Sequence, residues 1–128
     1  MSRTRASAKQ AGASFERTVA DYLRDELGQE FIDRAPKHGA KDEGDISNVR
    51  DSHGNRIVVE CKNAHTLSLP QWTREAETER VNNRALAGVV VHKRHGVGSP
   101  GQQWVSMTLD ELIVLLKGTR GSAVSDSV

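Results

Sequence analysis

Apolar residues recur along this chain at two spacings, and the change from one to the other divides it into elements. Phe15, Val19, Tyr22, Leu23 and Leu27 repeat at helical intervals, and Gly28 supplies a C-terminal stop. Residues 30–34 form a short strand candidate, and residues 36–43, rich in glycine and charge, a loop. Ile57-Val58-Val59, closed by Glu60-Cys61-Lys62, is β-branched and reads as a strand over 56–62; residues 44–49 read as the strand before it. Between them lies Asp51-Ser52-His53-Gly54-Asn55, a turn cluster that predicts an antiparallel hairpin. Ser68-Leu69-Pro70-Gln71 matches a capping box and opens a helix to about Arg84 with a thin stripe of Leu69, Trp72 and Ala76, so most of that helix should face water. Residues 88–92 and 104–107 read as short strands joined by a glycine-rich loop over 96–101. Thr108 with Glu111 makes a second capping box, and Leu109, Leu112, Ile113 and Leu116 should form the core stripe of a last helix ending at Gly118. Strands alternating with helices predict an α/β fold with a mixed sheet flanked by helices.

Composition narrows this picture. A chain of 128 residues supports one core of about two layers. The boundaries expected are a flexible basic arm over 1–12, one domain over 13–118 and a disordered tail over 119–128. The arm carries Arg3, Arg5 and Lys9 and no acid, which suits an anionic partner. Charged residues are 27% of the chain, yet the formal net charge is only +1, so a nucleic-acid surface must arise from local clustering. His92-Lys93-Arg94-His95 is such a cluster; without acids it is a poor metal site, and it reads either as a phosphate-contacting patch or as an ordinary solvated loop. Cys61 is the only cysteine, which excludes an intrachain disulfide and fits a reducing compartment. With no membrane-length apolar run and no apolar leader at the N-terminus, the expectation is a cytoplasmic protein.

Candidate chemistry concentrates on the hairpin. Side chains alternate along a strand, so Ile57, Val59 and Cys61 face one way while Val58, Glu60 and Lys62 face the other. If the first set packs into a core, a carboxylate and an ammonium emerge together on the opposite face. Asp45, from the preceding strand, can complete a hard-oxygen site for Mg²⁺, and Lys62 can hold a water or a phosphate oxygen. The alternative for Glu60 and Lys62 is an exposed same-face ion pair of little energetic value. Turn length leaves the register of Asp45 against Glu60 open. Glu16 sits at the edge of the first helical stripe, where it can point toward a site or remain an exposed acid favoured by the helix dipole.

Gly12-Ala13-Ser14-Phe15-Glu16-Arg17, then Gly44-Asp45-Ile46, then Val58-Val59-Glu60-Cys61-Lys62-Asn63, then a helix opening with Gln71, resembles the PD-(D/E)xK nuclease superfamily. Within it the chain is most similar to the small archaeal-type Holliday junction resolvases, which share the glycine-plus-Glu-Arg start and the size. Gly44 stands where the name-giving proline would be. The resemblance implies a restriction-endonuclease-like core in which Asp45 and Glu60 bind the divalent metal with the Cys61 carbonyl. Glu16 would join directly or through water, and Lys62 would orient the attacking water or stabilise charge on the phosphate. Gln71 is implied in a supporting role, alongside its capping role.

The function expected is a Mg²⁺-dependent DNA endonuclease, with Mn²⁺ able to substitute, acting on branched DNA and above all on four-way junctions. Paired cuts from one active site per chain imply a homodimer. Trp72, Trp104 and the exposed apolar residues of the last helix are candidates for its surface. The alternatives are a nicking or repair endonuclease acting on flaps or damaged DNA, and a DNA-binding module without catalysis.

Overall fold

A computed structural model describes residues 4–36 and 45–121. It has three α-helices and five strands: α1 (Arg5–Leu27), β1 (Asp33–Arg34), β2 (Ile46–Ser47), β3 (Ile57–Lys62), α2 (Leu69–Asn83), β4 (Ala87–His92), β5 (Trp104–Ser106) and α3 (Leu109–Lys117). The strands form one sheet in chain order, β1-β2-β3-β4-β5. β3 and β4 pair in parallel and the other neighbours antiparallel, so the expected mixed sheet flanked by helices is what forms. Among the described residues no helix is long and apolar enough to cross a membrane.

Period-two alternation in β3 builds both layers. Phe15, Val19 and Ala20 of α1 pack on Ile46, Val59, Cys61 and Val89; on the other face Trp72 and Ala76 of α2 pack on Val90. Glu60 and Lys62 belong to the α2 face. That helix lies very close to the sheet, because a Cβ on Gly88 would stand 2.8 Å from the Ala76 carbonyl oxygen.

Several boundaries differ from the expected ones. Residues 5–12, expected as a mobile arm, are the first turns of α1. The Thr4 side chain caps them by accepting from Ser7 N at 3.0 Å, and Arg5-Ala6-Ser7-Ala8-Lys9-Gln10-Ala11 is composed largely of strong helix formers. Part of the expected tail is held as well: Arg120 donates to the Leu86 carbonyl at 3.0 Å and pairs with Glu111. Arg3, Gly44 and residues 122–128 lie outside the described residues.

The two capping boxes form only in part. Ser68 makes no side-chain cap, and its hydroxyl meets Gln71 Oε1 at 3.4 Å. Thr108 does cap α3, but Glu111 accepts from Gly88 N at 2.9 Å, which ties α3 to the start of β4. The stripe expected in the core of α3 is on the outside, with Leu109 and Leu116 about three-quarters exposed. Leu115 is the residue that packs inward. The periodicity was real, but the helix meets the sheet through its other side.

The hairpin is fixed at its tip by Asp51, whose Oδ1 accepts from His53 N at 2.9 Å and Asn55 N at 2.8 Å. Ile46 pairs with Val59 and Arg50 with Arg56, so the β2 side carries one more residue than the β3 side between the two pairings. Asn48, at φ 69°, lies in that bulge. An extra residue of this kind is invisible to alternation, which is why counting back from the turn could not set the register.

Candidate active site

The Ile46–Val59 pairing sets Asp45 beside Glu60, one step further along each strand, on the face covered by α2. Both carboxylates are buried. The Asp45 backbone is engaged on both sides, donating to the Val59 carbonyl at 3.1 Å and accepting from Ala35 N at 2.9 Å. Its Oδ2 accepts from Cys61 N at 2.7 Å, so β3 orients the carboxylate through its own backbone. Of Cys61, the contact seen at the site is this amide; its side chain is buried toward α1.

Lys62 leaves β3 two residues after Glu60, on the same face, and its ammonium lies 2.7 Å from Glu75 Oε1 of α2. This pairing, reinforced by Gln71 Nε2 at 3.4 Å from Glu75 Oε2, holds the Glu75 carboxyl below the usual carboxylate range; burial and the negative charge of Asp45 oppose the shift. Glu75 thus belongs to the same electrostatic group as Asp45 and Lys62, although no motif singled it out. A signal was present: counting from Trp72 at helical spacing gives Glu75, Ala76 and Glu79, one inward face. Two acids on a sheet-facing stripe are a reason to suspect a site rather than solvent.

Glu16 is mostly buried on α1, and its Oε1 accepts from Arg34 Nε at 3.1 Å. Arg34 pairs in register with Ile46, the neighbour of Asp45, so Glu16 is tethered beside the start of β2. The expected DNA contacts are less uniform. Arg5 and Lys9 are exposed along the first turns of α1. Lys93 bonds the Val97 carbonyl within its own loop, and the Arg94 guanidinium stacks 4.6 Å from the centre of the Trp104 ring.

The donor set suits a hard cation. Two buried carboxylates side by side repel in a medium of low dielectric, and a divalent ion between them relieves that repulsion. Among the described residues no group of three metal-ligating side chains is already assembled. Mg²⁺ needs fewer, because it keeps several waters and takes one or two carboxylates.

A model of the phage putative PDDEXK endonuclease family matches residues 7–119, nearly the whole chain. The protein belongs to this family. Its sheet and helices accord with the restriction-endonuclease-like α/β fold of PDDEXK enzymes. No curated protein and no solved structure matches the chain. Asp45, Glu60 and Lys62, the positions expected from the sequence pattern to carry the motif of such enzymes, are the two buried acids and the lysine described above.

Proposed function

We propose that the protein is a Mg²⁺-dependent endonuclease that hydrolyses DNA phosphodiesters, with Mn²⁺ able to replace Mg²⁺. The observation that supports this most directly is the placement of Asp45 beside Glu60 with Lys62 on the same face of β3. Asp45 and Glu60 would hold the ion, which when bound withdraws charge from the scissile phosphate and acidifies a water. The protein's part is positioning. The Cys61 amide fixes Asp45, and Glu75 holds the Lys62 ammonium where it can meet a phosphate oxygen or the incoming water. Water adds to phosphorus, one P–O bond breaks, and the leaving oxygen takes a proton. Glu16, directly or through a water, and the Cys61 carbonyl would complete the set in this reading.

The preferred substrate is a four-way junction, as the likeness to the archaeal-type Holliday junction resolvases suggests. Resolution needs two matched cuts, which a two-fold homodimer supplies. The exposed apolar stripe of α3 is the surface best suited to that dimer, whereas Trp72 is buried between α2 and the sheet and is withdrawn from the candidates. Arg5 and Lys9 would meet phosphates, as would Arg3 and the Lys93-Arg94 turn. A nicking or repair nuclease of the same fold, and a DNA-binding module without catalysis, are the competing readings.

The test is cleavage of labelled four-way junction, flap, duplex and single-stranded DNA with Mg²⁺, with Mn²⁺ and with EDTA. Asp45→Asn, Glu60→Gln and Lys62→Ala should each lower the rate at least about 100-fold while binding persists. Full activity in any of the three defeats the mechanism. Equal cutting of junctions, flaps and plain duplex defeats the resolvase assignment and leaves the nuclease.

A further inference from the structure

In the row of Lys62, on the same face of the sheet as the carboxylates, is a cavity of about 420 Å³ lined in part by His65, Trp72, His92, His95, Trp104 and Ser106. We propose that it is a subsite for one unpaired nucleobase of the DNA strand being cut, an assignment that rests on the nuclease reading. Register gives the first reason. Lys62 pairs with His92 and His92 with Trp104, so the three stand in one row across β3, β4 and β5. Two strand spacings separate Lys62 from Trp104, about 10 Å. That is about three stacked nucleotide steps, and fewer once a strand is unstacked. A phosphate at Lys62 therefore brings a base of the same strand to Trp104.

The lining has the chemistry of a base site. Trp104 is about half exposed, and Arg94 covers one face of its ring, which leaves the other face for stacking. Stacking alone would accept any base. A polar reader stands beside it: His92 is buried, its Nε2 bonded to Ser106 Oγ at 2.7 Å, while its Nδ1 has no hydrogen-bond partner among the described residues. Burial pushes the imidazole below its ordinary pKa, so at neutral pH His92 adds no charge to the wall of the cavity. His65 and His95 stack on one another 5.4 Å apart and wall the far side. Three histidines invite a metal, but among the described residues no three ligating side chains come together. The volume lies within the range of about 300 to 1,000 Å³ usual for small-ligand pockets. An aromatic side chain of a protein partner would fit the same space. Arg94 and Lys93 at the rim, and Lys62 in the same row, favour a ligand that brings phosphates with it.

The experiment is done in EDTA, so that it does not depend on cleavage. Probes are short single-stranded oligothymidylate and the same backbone made wholly of abasic residues. Trp72→Phe leaves Trp104 as the sole tryptophan, and its fluorescence should be quenched by oligothymidylate and not by the abasic strand. Trp104→Ala should weaken oligothymidylate binding about 5- to 150-fold, the range expected for one lost base stack, and leave abasic binding unchanged; Trp104→Phe should restore most of the loss. Equal weakening toward both strands, or none toward oligothymidylate, overturns the subsite. Cleavage by the wild-type protein with Mg²⁺ is scored separately. Base-dependent binding with no cleavage of any DNA upholds the pocket and overturns the nuclease reading.

Discussion

Lys62 already has a partner before any phosphate arrives, and that partner is Glu75. Both side chains are partly exposed, so the pair contributes only about 0–1 kcal/mol to folding. Glu75→Gln should therefore shift the midpoint of urea unfolding very little and yet slow cleavage about tenfold, because the ammonium loses its anchor. Equal losses of stability and rate would assign Glu75 a purely structural role. His92 gives a residue-scale pH effect. Its pKa is lowered by burial in the folded state, so between the ordinary value of about 6.5 and the folded value the unfolded chain binds more protons, and acidification favours unfolding. Stability should fall as pH drops below about 6.5, and His92→Gln should flatten that dependence in denaturation series at several pH values. The shared face of Glu60 and Lys62 could be read from sequence because alternation in a β-branched strand assigns faces without knowing the fold. The Lys62–Glu75 and His92–Ser106 contacts could not, since they form only when α2 packs on the sheet and β5 pairs with β4, although helical spacing from Trp72 did place Glu75 on the inward face.

At the scale of elements, α2 depends on the absence of one side chain. A Cβ at Gly88 would stand 2.8 Å from the Ala76 oxygen and 3.3 Å from its carbonyl carbon, both backbone atoms that can yield only by moving the helix. Gly88→Ala should destabilise the fold by about 1–3 kcal/mol in equilibrium unfolding, and should also lower cleavage, because the displaced helix carries Trp72 and Glu75. An unchanged unfolding midpoint would mean that α2 has room to spare. Helix α1 shows where composition misleads: a small, basic, polar stretch has the profile of an arm, but its alanines and the Thr4 cap make it helical. For α3 the apolar stripe was legible and its direction was not, because periodicity reports a face and does not say what covers it.

At the scale of the whole molecule, α3 carries Leu109, Leu112, Ile113 and Leu116 outward on one side. Surface of that kind usually marks an interaction site. If it joins two copies, sedimentation should give a dimer at micromolar concentration. Leu109→Asp with Leu116→Lys, both changes at exposed positions, should give a folded monomer that nicks one strand of a junction instead of two. A wild-type monomer on junction DNA would remove both the dimer and the paired cuts. The α/β class and the mixed sheet were legible because the order of strands and helices constrains topology strongly. The register of the hairpin was not legible, and the bulge at Asn48 that sets it has an evolutionary consequence. A change of length in the turn over residues 51–55 would disturb the Asp51 contacts at the tip but not this register, as long as the Arg50–Arg56 bridge closes the turn. Loss of a single residue between Ile46 and Arg50 would leave three steps on each strand, a regular ladder in which Ile46 still meets Val59 and Asp45 still stands beside Glu60, so a descendant without the bulge keeps its site.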